Sequence, residues 1–377
     1  MTTILTNARL VLPDALLHGT IVLDGTTIVE VQPGVSRAAG AIDLEGDTVM
    51  PGVVDVHTDN LERQVQPRSN ARWPSRSAML THDAQCAASG VTTVLDALCL
   101  GDLGFDKGRT QTFEEGVVDL DALADSGLLK AEHFLHLRCE LPAADMWRLF
   151  EPVAEHAKVR MVSLMDHSPG VGQYSNLDRY RAMRAREGHE PAWIEERIVE
   201  LSAMRAKMRG PNRAALLARM AGRDVVLASH DDRTAEEIAE NHADGIGISE
   251  FPVSMLAATE ARRLEMKVIA GAPNIVRGGS HSGNVSAADL VRAGAVDAFA
   301  SDYVPAALVE AAFACVGQTG ISLPEGVAMV TANPARMAGL GDRGVLAVGM
   351  RADVVRVREW QGMPVIRQVW RAGERVI

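Results

Sequence analysis

The sequence predicts an α/β fold, a (β/α)8 TIM-type barrel with a small β-sandwich domain formed by both chain termini. Three observations predict it. Eight short apolar segments alternate with helical stretches through the middle of the 377-residue chain, and about 280 residues for eight such units is close to the ~250 typical of these barrels. Both chain ends are rich in strand formers and tight turns. His, Asp and Glu gather where the C-terminal ends of the strands should fall, and that is where barrel enzymes place their chemistry.

The ends come first. Residues 1–50 read as strands at 3–11, 20–24 and 26–31, with Asp24-Gly25 as a hairpin signal. The tail, 344–377, is similar, with strand-like stretches at 353–357 and 364–371. The termini of a domain often lie close together, so 1–50 and 344–377 are expected to form one small domain beside a barrel of 51–343.

The first barrel strand, 53–59, opens after Pro51-Gly52. Asp55, His57 and Asp59 alternate there with Val54, Val56 and Thr58. Alternate side chains of a strand share a face, so this reads as a polar face in need of a partner. A divalent metal is the natural one, because imidazole and carboxylate oxygen both ligate metals. The competing reading is a surface strand with solvated His and Asp. Seven further strands are expected at 91–97, 133–140, 160–167, 224–230, 245–251, 267–274 and 296–303. By strand parity Glu140, His167, His230 and Asp302 face inward at their ends, with Met165, Ala228, Ala298 and Ala300 beneath them as a barrel floor.

Three histidines and three carboxylates at the ends of five strands argue for a metal centre over isolated structural histidines. Two arrangements fit. In one, His57, Asp59 and Asp302 hold one ion, His167 and His230 hold another, and Glu140 bridges. In the other, a single ion sits on Glu140, His167 and His230. Such N/O donor sets accept Zn²⁺ or Mn²⁺. Asp302 is the candidate general base, within reach of a metal-activated water; a ligand-only role is the alternative.

After the seventh strand comes a stretch with Arg277, Gly278, Gly279, Ser280, His281, Gly283 and Asn284. Its glycines permit a backbone that turns N–H groups onto an anion, and Arg277 and His281 add charge. A plain flexible loop is the competing reading. Arg138 shares a face with Glu140, so it points into the site or supports Glu140 from beneath. Arg63, Arg68, Arg72 and Arg76 follow the first strand; each by itself reads as solvent-facing, and Arg68 is singled out as the one to reach an anion in the site. His82-Asp83 is read as opening a helix and capping it. Residues 178–223 read as charged and helical, broken at Gly210-Pro211, with a solvated face; a lid or subunit contact is the alternative. Residues 324–340 read as a helix broken near its end, with Asn333-Pro334 inside it.

Composition narrows the field. A net charge of −11 argues against general nucleic-acid binding. No apolar run approaches the ~20 residues of a membrane span, and the N-terminus does not have the form of a signal peptide, so a cytoplasmic protein is expected. The four cysteines are scattered without a C-x-x-C pair, so neither a disulfide framework nor a cysteine zinc site is expected.

Two segments then carry a resemblance: Val49-Met50-Pro51-Gly52-Val53-Val54-Asp55-Val56-His57, and the closing Gly349-Met350-Arg351-Ala352-Asp353-Val354-Val355. With the strand-end residues they resemble the amidohydrolase superfamily over nearly the whole chain, which implies a metal-dependent barrel with a sandwich built from both ends. There are departures. The superfamily usually has His-x-His on the first strand, and Asp59 stands at the second position here. Many members bridge two metals with a carboxylated lysine. None of the five lysines here (Lys107, Lys130, Lys158, Lys207, Lys267) lies at a strand end, and Glu140 resembles the third-strand glutamate that other members use.

More narrowly, the blocks around His57-Thr58-Asp59-Asn60-Leu61, His136 to Pro142, Ser163 to Gly170, Ala228 to Asp232 and Gly271 to Asn284 are similar to a branch of that superfamily, the diphosphatases of the carbon–phosphorus lyase pathway. That resemblance implies metal-dependent hydrolysis of the 5-triphosphate of a ribose 1-methylphosphonate, with diphosphate released. The partner implied is a small phosphorylated sugar, with homo-oligomer formation left open. The rival activity keeps the metal site and changes the bond: a cyclic amidase or deacetylase. The non-enzymatic rival is a barrel kept as a binding scaffold.

Overall fold

The computed structural model describes residues 2–68, 71–104, 108–280 and 283–377. All eight expected barrel strands form: Val53–Thr58, Val91–Leu100, Glu132–Glu140, Val159–Met165, Val226–His230, Ile248–Glu250, Lys267–Gly271 and Ala298–Ala300. Each pairs in parallel with the next in sequence. The ring closes between the first and the eighth. There Asp302 N donates to His57 O at 3.0 Å and Asp59 N donates to Asp302 O at 2.6 Å. The residues that shut the barrel are those the sequence singles out for chemistry.

The strands are buried on both faces, as in the second, where all of Val91–Leu100 is buried; helices cover the outside of a parallel sheet. Val54, Val56, Leu95, Phe134, Met161, Ala228, Ile248, Ile269, Ala298 and Ala300 fill the barrel interior, and Ala335, Met337 and Leu340 close its lower end. Small residues at 228, 298 and 300 leave the upper layer free for polar side chains.

The two chain ends meet in a second sheet. Thr48–Pro51 is its pivot, parallel to Thr2–Val11 and antiparallel to Val354–Trp360. Leu16–Asp24 and Thr27–Pro33 extend one side, and Met363–Arg371 and Glu374–Arg375 the other. The chain then passes straight from this sheet into the first barrel strand through Gly52. A Cβ on Gly52 would lie 2.2 Å from Thr92 Oγ1 and 2.7 Å from Asp353 Cβ, so glycine is required by close approach. Glu132 accepts from Arg343 and Arg351 and ties a barrel strand to the segment leading into the C-terminal strands.

Three local expectations are corrected. Gly210-Pro211 does not break its helix: Pro191–Met220 runs through with Pro211 inside. An interior proline costs ~3 kcal/mol, and tertiary anchors immediately after it offset that cost. Asn212 Nδ2 donates to Leu141 O and Ala143 O at 2.8 and 3.1 Å, and Arg213 Nε donates to Asp244 at 2.9 Å. Asn333-Pro334 is not the break either. Two helices, Leu323–Ala328 and Ala332–Met337, part before it, and Pro334 sits in the first turn of the second, where its missing N–H costs nothing. His82 and Asp83 do not open a helix: they lie buried in the middle of Ser75–Ala88. No helix among the described residues is long and apolar enough to cross a membrane.

Candidate metal centre

The first barrel strand is bulged. Asp55 pairs with Val94 and Thr58 with Asp96, so three steps on the first strand match two on the second. Val94 belongs to the layer beneath the outer helices, and Asp96 bonds His82 on one of them. Asp55 and Thr58 therefore face outward, and the extra residue lets Val56 and His57 both serve the inner side. Bulges are known to re-aim a side chain beside a site. The expected common face for Asp55, His57 and Asp59 is corrected accordingly: Asp55 instead accepts from Ser301 N at 3.1 Å and His57 N at 3.3 Å.

Two donor groups stand on the rim. His57, Asp59 and Asp302 form the first; His167, His230 and Asp231 form the second, each group offering ligand atoms within 4.8 Å of one another. In the first, His57 Nε2 is buried without a hydrogen-bond partner among the described residues and lies 3.4 Å from Asp59 Oδ1. Asp59 also pairs with Arg138, which is 5% exposed. Arg138 thus points into the site and engages Asp59. Burial works against the Asp59 charge, but Arg138 and His57 hold its carboxyl well below the usual range. Burial and the Asp59 charge push Asp302 up to about 6.

In the second group, Nε2 of His167 and Nε2 of His230 both lie 3.9 Å from Asp231 Oδ2. That oxygen is itself buried and lacks a partner among the described residues. Glu140 grips His167 with both oxygens: His167 N donates at 2.8 Å and Nδ1 at 2.6 Å. The rings of His57 and His230 stack 5.9 Å apart, so the two groups are neighbours. Two orphaned donor atoms, His57 Nε2 and Asp231 Oδ2, in an N/O set of this kind fit divalent cations.

Sequence reasoning missed two residues here. Glu250, 0% exposed, ends the sixth strand and lies beneath both groups. His57 Nδ1 donates to its Oε1 at 2.7 Å and His230 Nδ1 to its Oε2 at 2.8 Å. Ser163 Oγ lies 3.0 Å from the same Oε2 and 2.5 Å from His136 Nε2. The signal was present: a lone carboxylate at the end of an apolar strand, the rule that found Glu140. Asp231 is the other. Strand parity turns it away from the site, but its backbone is left-handed, at φ 57°, and this returns the carboxylate to the rim. Asp302 has the same φ of 57°. Such strain in non-glycine residues clusters at functional sites.

Above the rim opens a cavity of about 540 Å³. Arg277, Gly279, Ser280 and Asn284 line it, together with His57, Asp59, Arg138, Glu140, His167, His230 and Asp302. Gly278, at φ 76°, and Gly283, at φ 73°, shape the Arg277 loop, and Asn274 pins its base by donating to Val285 O and accepting from Ala287 N. Arg277 is exposed and has no ion-pair partner among the described residues. Arg68 is exposed and is not part of the lining. His281 lies outside the described residues. Arg109 and Arg184, which sequence reasoning did not single out, line the cavity. Arg184, 8% exposed, comes from Leu177–Arg186, so part of the segment read as solvated forms the wall of the site.

A third group, His82, Asp96 and His133, lies outside the barrel wall. His82 Nε2 donates to Asp96 Oδ1 at 2.7 Å, and His133 bonds Asp96 and Asp83 at 2.8 and 3.2 Å. His82 Nδ1 accepts from Asn60. All four ring nitrogens are satisfied, so this is a buried hydrogen-bond network fastening a helix to two strands.

Comparison with known proteins gives three findings. Residues 218–377 match the amidohydrolase family. The chain is 41% identical, over 99% of its length and 100% of the relative's, to the α-D-ribose 1-methylphosphonate 5-triphosphate diphosphatase of Escherichia coli (strain K12). Among solved structures it superposes on N-acetyl-D-glucosamine-6-phosphate deacetylase from Mycobacterium smegmatis with a TM-score of 0.65, at 19% identity, covering 100% of both chains. Molinate hydrolase gives a TM-score of 0.69 at 12% identity, over 100% of this chain and 94% of that one. At such identities the last two establish the fold alone.

Proposed function

From the premise that the chain belongs to the amidohydrolase superfamily, in the family of the ribose methylphosphonate triphosphate diphosphatase, we propose that it hydrolyses the 5-triphosphate of α-D-ribose 1-methylphosphonate to the 5-phosphate and diphosphate. The observation that carries this reading is the pairing of two metal donor groups on one rim with an arginine-bearing cavity above them. Four arginines and six carboxylates line that cavity. A bare rim of that charge repels a polyanion, and divalent cations reverse the balance.

His57, Asp59 and Asp302 would hold one ion and His167, His230 and Asp231 a second, with Zn²⁺ or Mn²⁺ suited to the donors. A divalent cation held there would lower the pKa of a coordinated water from 15.7 toward about 7. Asp302, on the same rim, is the group that would accept that water's proton. Glu140 holds His167 in one tautomer, and Arg138 neutralises Asp59 from the side. Arg277 binds the phosphate chain from the outer edge, with the glycine-rich backbone of residues 278–280 beside it, and Arg109 and Arg184 contact it from the opposite wall. Tyr174, Phe251 and Leu103, all lining residues, exclude bulk water from the reacting phosphoanhydride.

The deciding experiment is ³¹P NMR of the metal-loaded protein with the ribose methylphosphonate triphosphate, run beside a cyclic amide and an N-acetyl sugar phosphate. Diphosphate release from the triphosphate is expected. Turnover confined to the amide substrates overturns the proposal.

A further inference from the structure

Glu250 is fully buried below the metal centre and makes no contact that a substrate could use. Its two oxygens are divided between histidines of different donor groups: Oε1 accepts from His57 Nδ1 and Oε2 from His230 Nδ1. A carboxylate only accepts. Both rings must therefore carry a proton on Nδ1, which leaves Nε2 as the nitrogen each ring can offer to a cation. In His57 that Nε2 is the buried atom without a partner. In His230 it faces Asp231 Oδ2. Ser163 stands against the same carboxylate from the fourth strand, and His136 stands behind Ser163, fixed by its own Nδ1–H to Val56 O at 2.9 Å. The carboxylate is therefore held in place from below and from the side.

We propose that Glu250 is a positioning residue that sets the tautomer of one histidine in each donor group and so readies both sites for divalent cations at once. The inference rests on the metal centre of the function proposed above and is independent of the substrate named there. Glu250 is not itself a ligand: both its oxygens are engaged by imidazole N–H groups, on the side of those rings away from Nε2.

An amide at this position distinguishes positioning from packing. Glu250→Gln preserves shape but offers one acceptor and one donor. Only one histidine can then keep Nδ1–H. The other must accept at Nδ1, carry its proton on Nε2, and lose the lone pair a metal needs. Partners of this kind typically change metal affinity by 10–100-fold. Calorimetric titration of the chelator-stripped protein with Zn²⁺ alone is expected to show two ions per chain in the wild type. In Glu250→Gln one ion should bind as in the wild type and the other roughly 10–100-fold more weakly. Two ions of unchanged affinity in the variant, or equal weakening of both, would overturn the proposal.

A second measurement avoids the variant. In zinc-loaded wild-type protein with ¹⁵N-labelled histidine, Nδ1 of His57 and of His230 should carry a proton and Nε2 of each should bind metal. Metal on Nδ1 of either ring would overturn the proposal. A wild-type protein that takes up both ions with these ring assignments and releases no diphosphate supports the inference while refuting the substrate.

Discussion

Asp55 and His57 stand two residues apart on one strand and face opposite sides of the barrel wall. The bulge between them, with Asp55 opposite Val94 and Thr58 opposite Asp96, divides their work. Asp55 turns into the wall and accepts from Ser301 N and His57 N. His57 turns into the lumen with its Nε2 free for a ligand. The barrel closes at this point, since the His57 carbonyl accepts from Asp302 N. Closure and the candidate metal centre therefore share one short piece of backbone.

Opposite phenotypes are expected from the two residues. Asp55→Ala leaves the buried Ser301 and His57 N–H groups without that acceptor, a loss of about 1–3 kcal/mol, with metal content kept. His57→Ala lowers metal content. Chemical denaturation and metal analysis of the two variants check this; metal loss in Asp55→Ala would contradict the outward placement.

Arg277 tests the phosphate-binding edge. Its guanidinium lines the cavity without an ion-pair partner among the described residues, so its removal costs the fold little. Charged hydrogen bonds contribute about 1.5–3 kcal/mol, so Arg277→Ala should raise KM for the triphosphate by roughly tenfold to a hundredfold. Metal content should stay unchanged. Wild-type steady-state kinetics in the variant would place the phosphate chain elsewhere in the cavity.

What the sequence made legible follows from which physics is local. Eight strands were readable because apolar β-rich runs between helical stretches are a local signal. The meeting of His57, Glu140, His167, His230 and Asp302 on one rim was readable because strand ends in a barrel converge there. Parity failed where the backbone leaves the regular pleat. The bulge reverses the assignment of Asp55, and the left-handed turn at Asp231 brings back a carboxylate that alternation sends outward. Glu250 was missed although its strand-end position was legible: its role depends on two histidines that lie 193 and 20 residues away. Pro211 was misread because its helix is held by contacts of Asn212 and Arg213 with distant segments.

The network outside the barrel wall predicts a pH dependence of stability. His133 lies fully buried between Asp96 and Asp83. Burial alone disfavours its charge, but the two carboxylates raise it from 6.5 to about 9. A histidine raised on folding stabilises the native state fully below its unfolded value, and that contribution disappears as pH rises through the folded one. Stability of the chelator-treated protein should thus fall between pH 6.5 and about 9, by at most about 3 kcal/mol. The neutral variant His133→Gln should be less stable at pH 6.5 and decline less steeply over this range, to which His57 and His167 also contribute in the metal-free protein. Parallel slopes for wild type and variant in pH-resolved denaturation would remove His133 from this role.

Asp231 offers the sharpest test of the second donor group. Its left-handed backbone, at φ 57°, is one that Asn accepts about as well as Asp, so Asp231→Asn should leave the metal-free protein within about 0.5 kcal/mol of the wild type. The substitution nonetheless removes the negative charge facing Nε2 of His167 and Nε2 of His230, each 3.9 Å away. Zn²⁺ binding at that group should weaken by roughly tenfold or more, beyond what loss of an outer partner alone typically gives at the low end. Turnover should fall with it, while the ion on His57, Asp59 and Asp302 remains. Metal stoichiometry measured at a fixed low Zn²⁺ concentration separates the cases: one ion per chain is expected, and two would show that His167 and His230 bind their ion without Asp231.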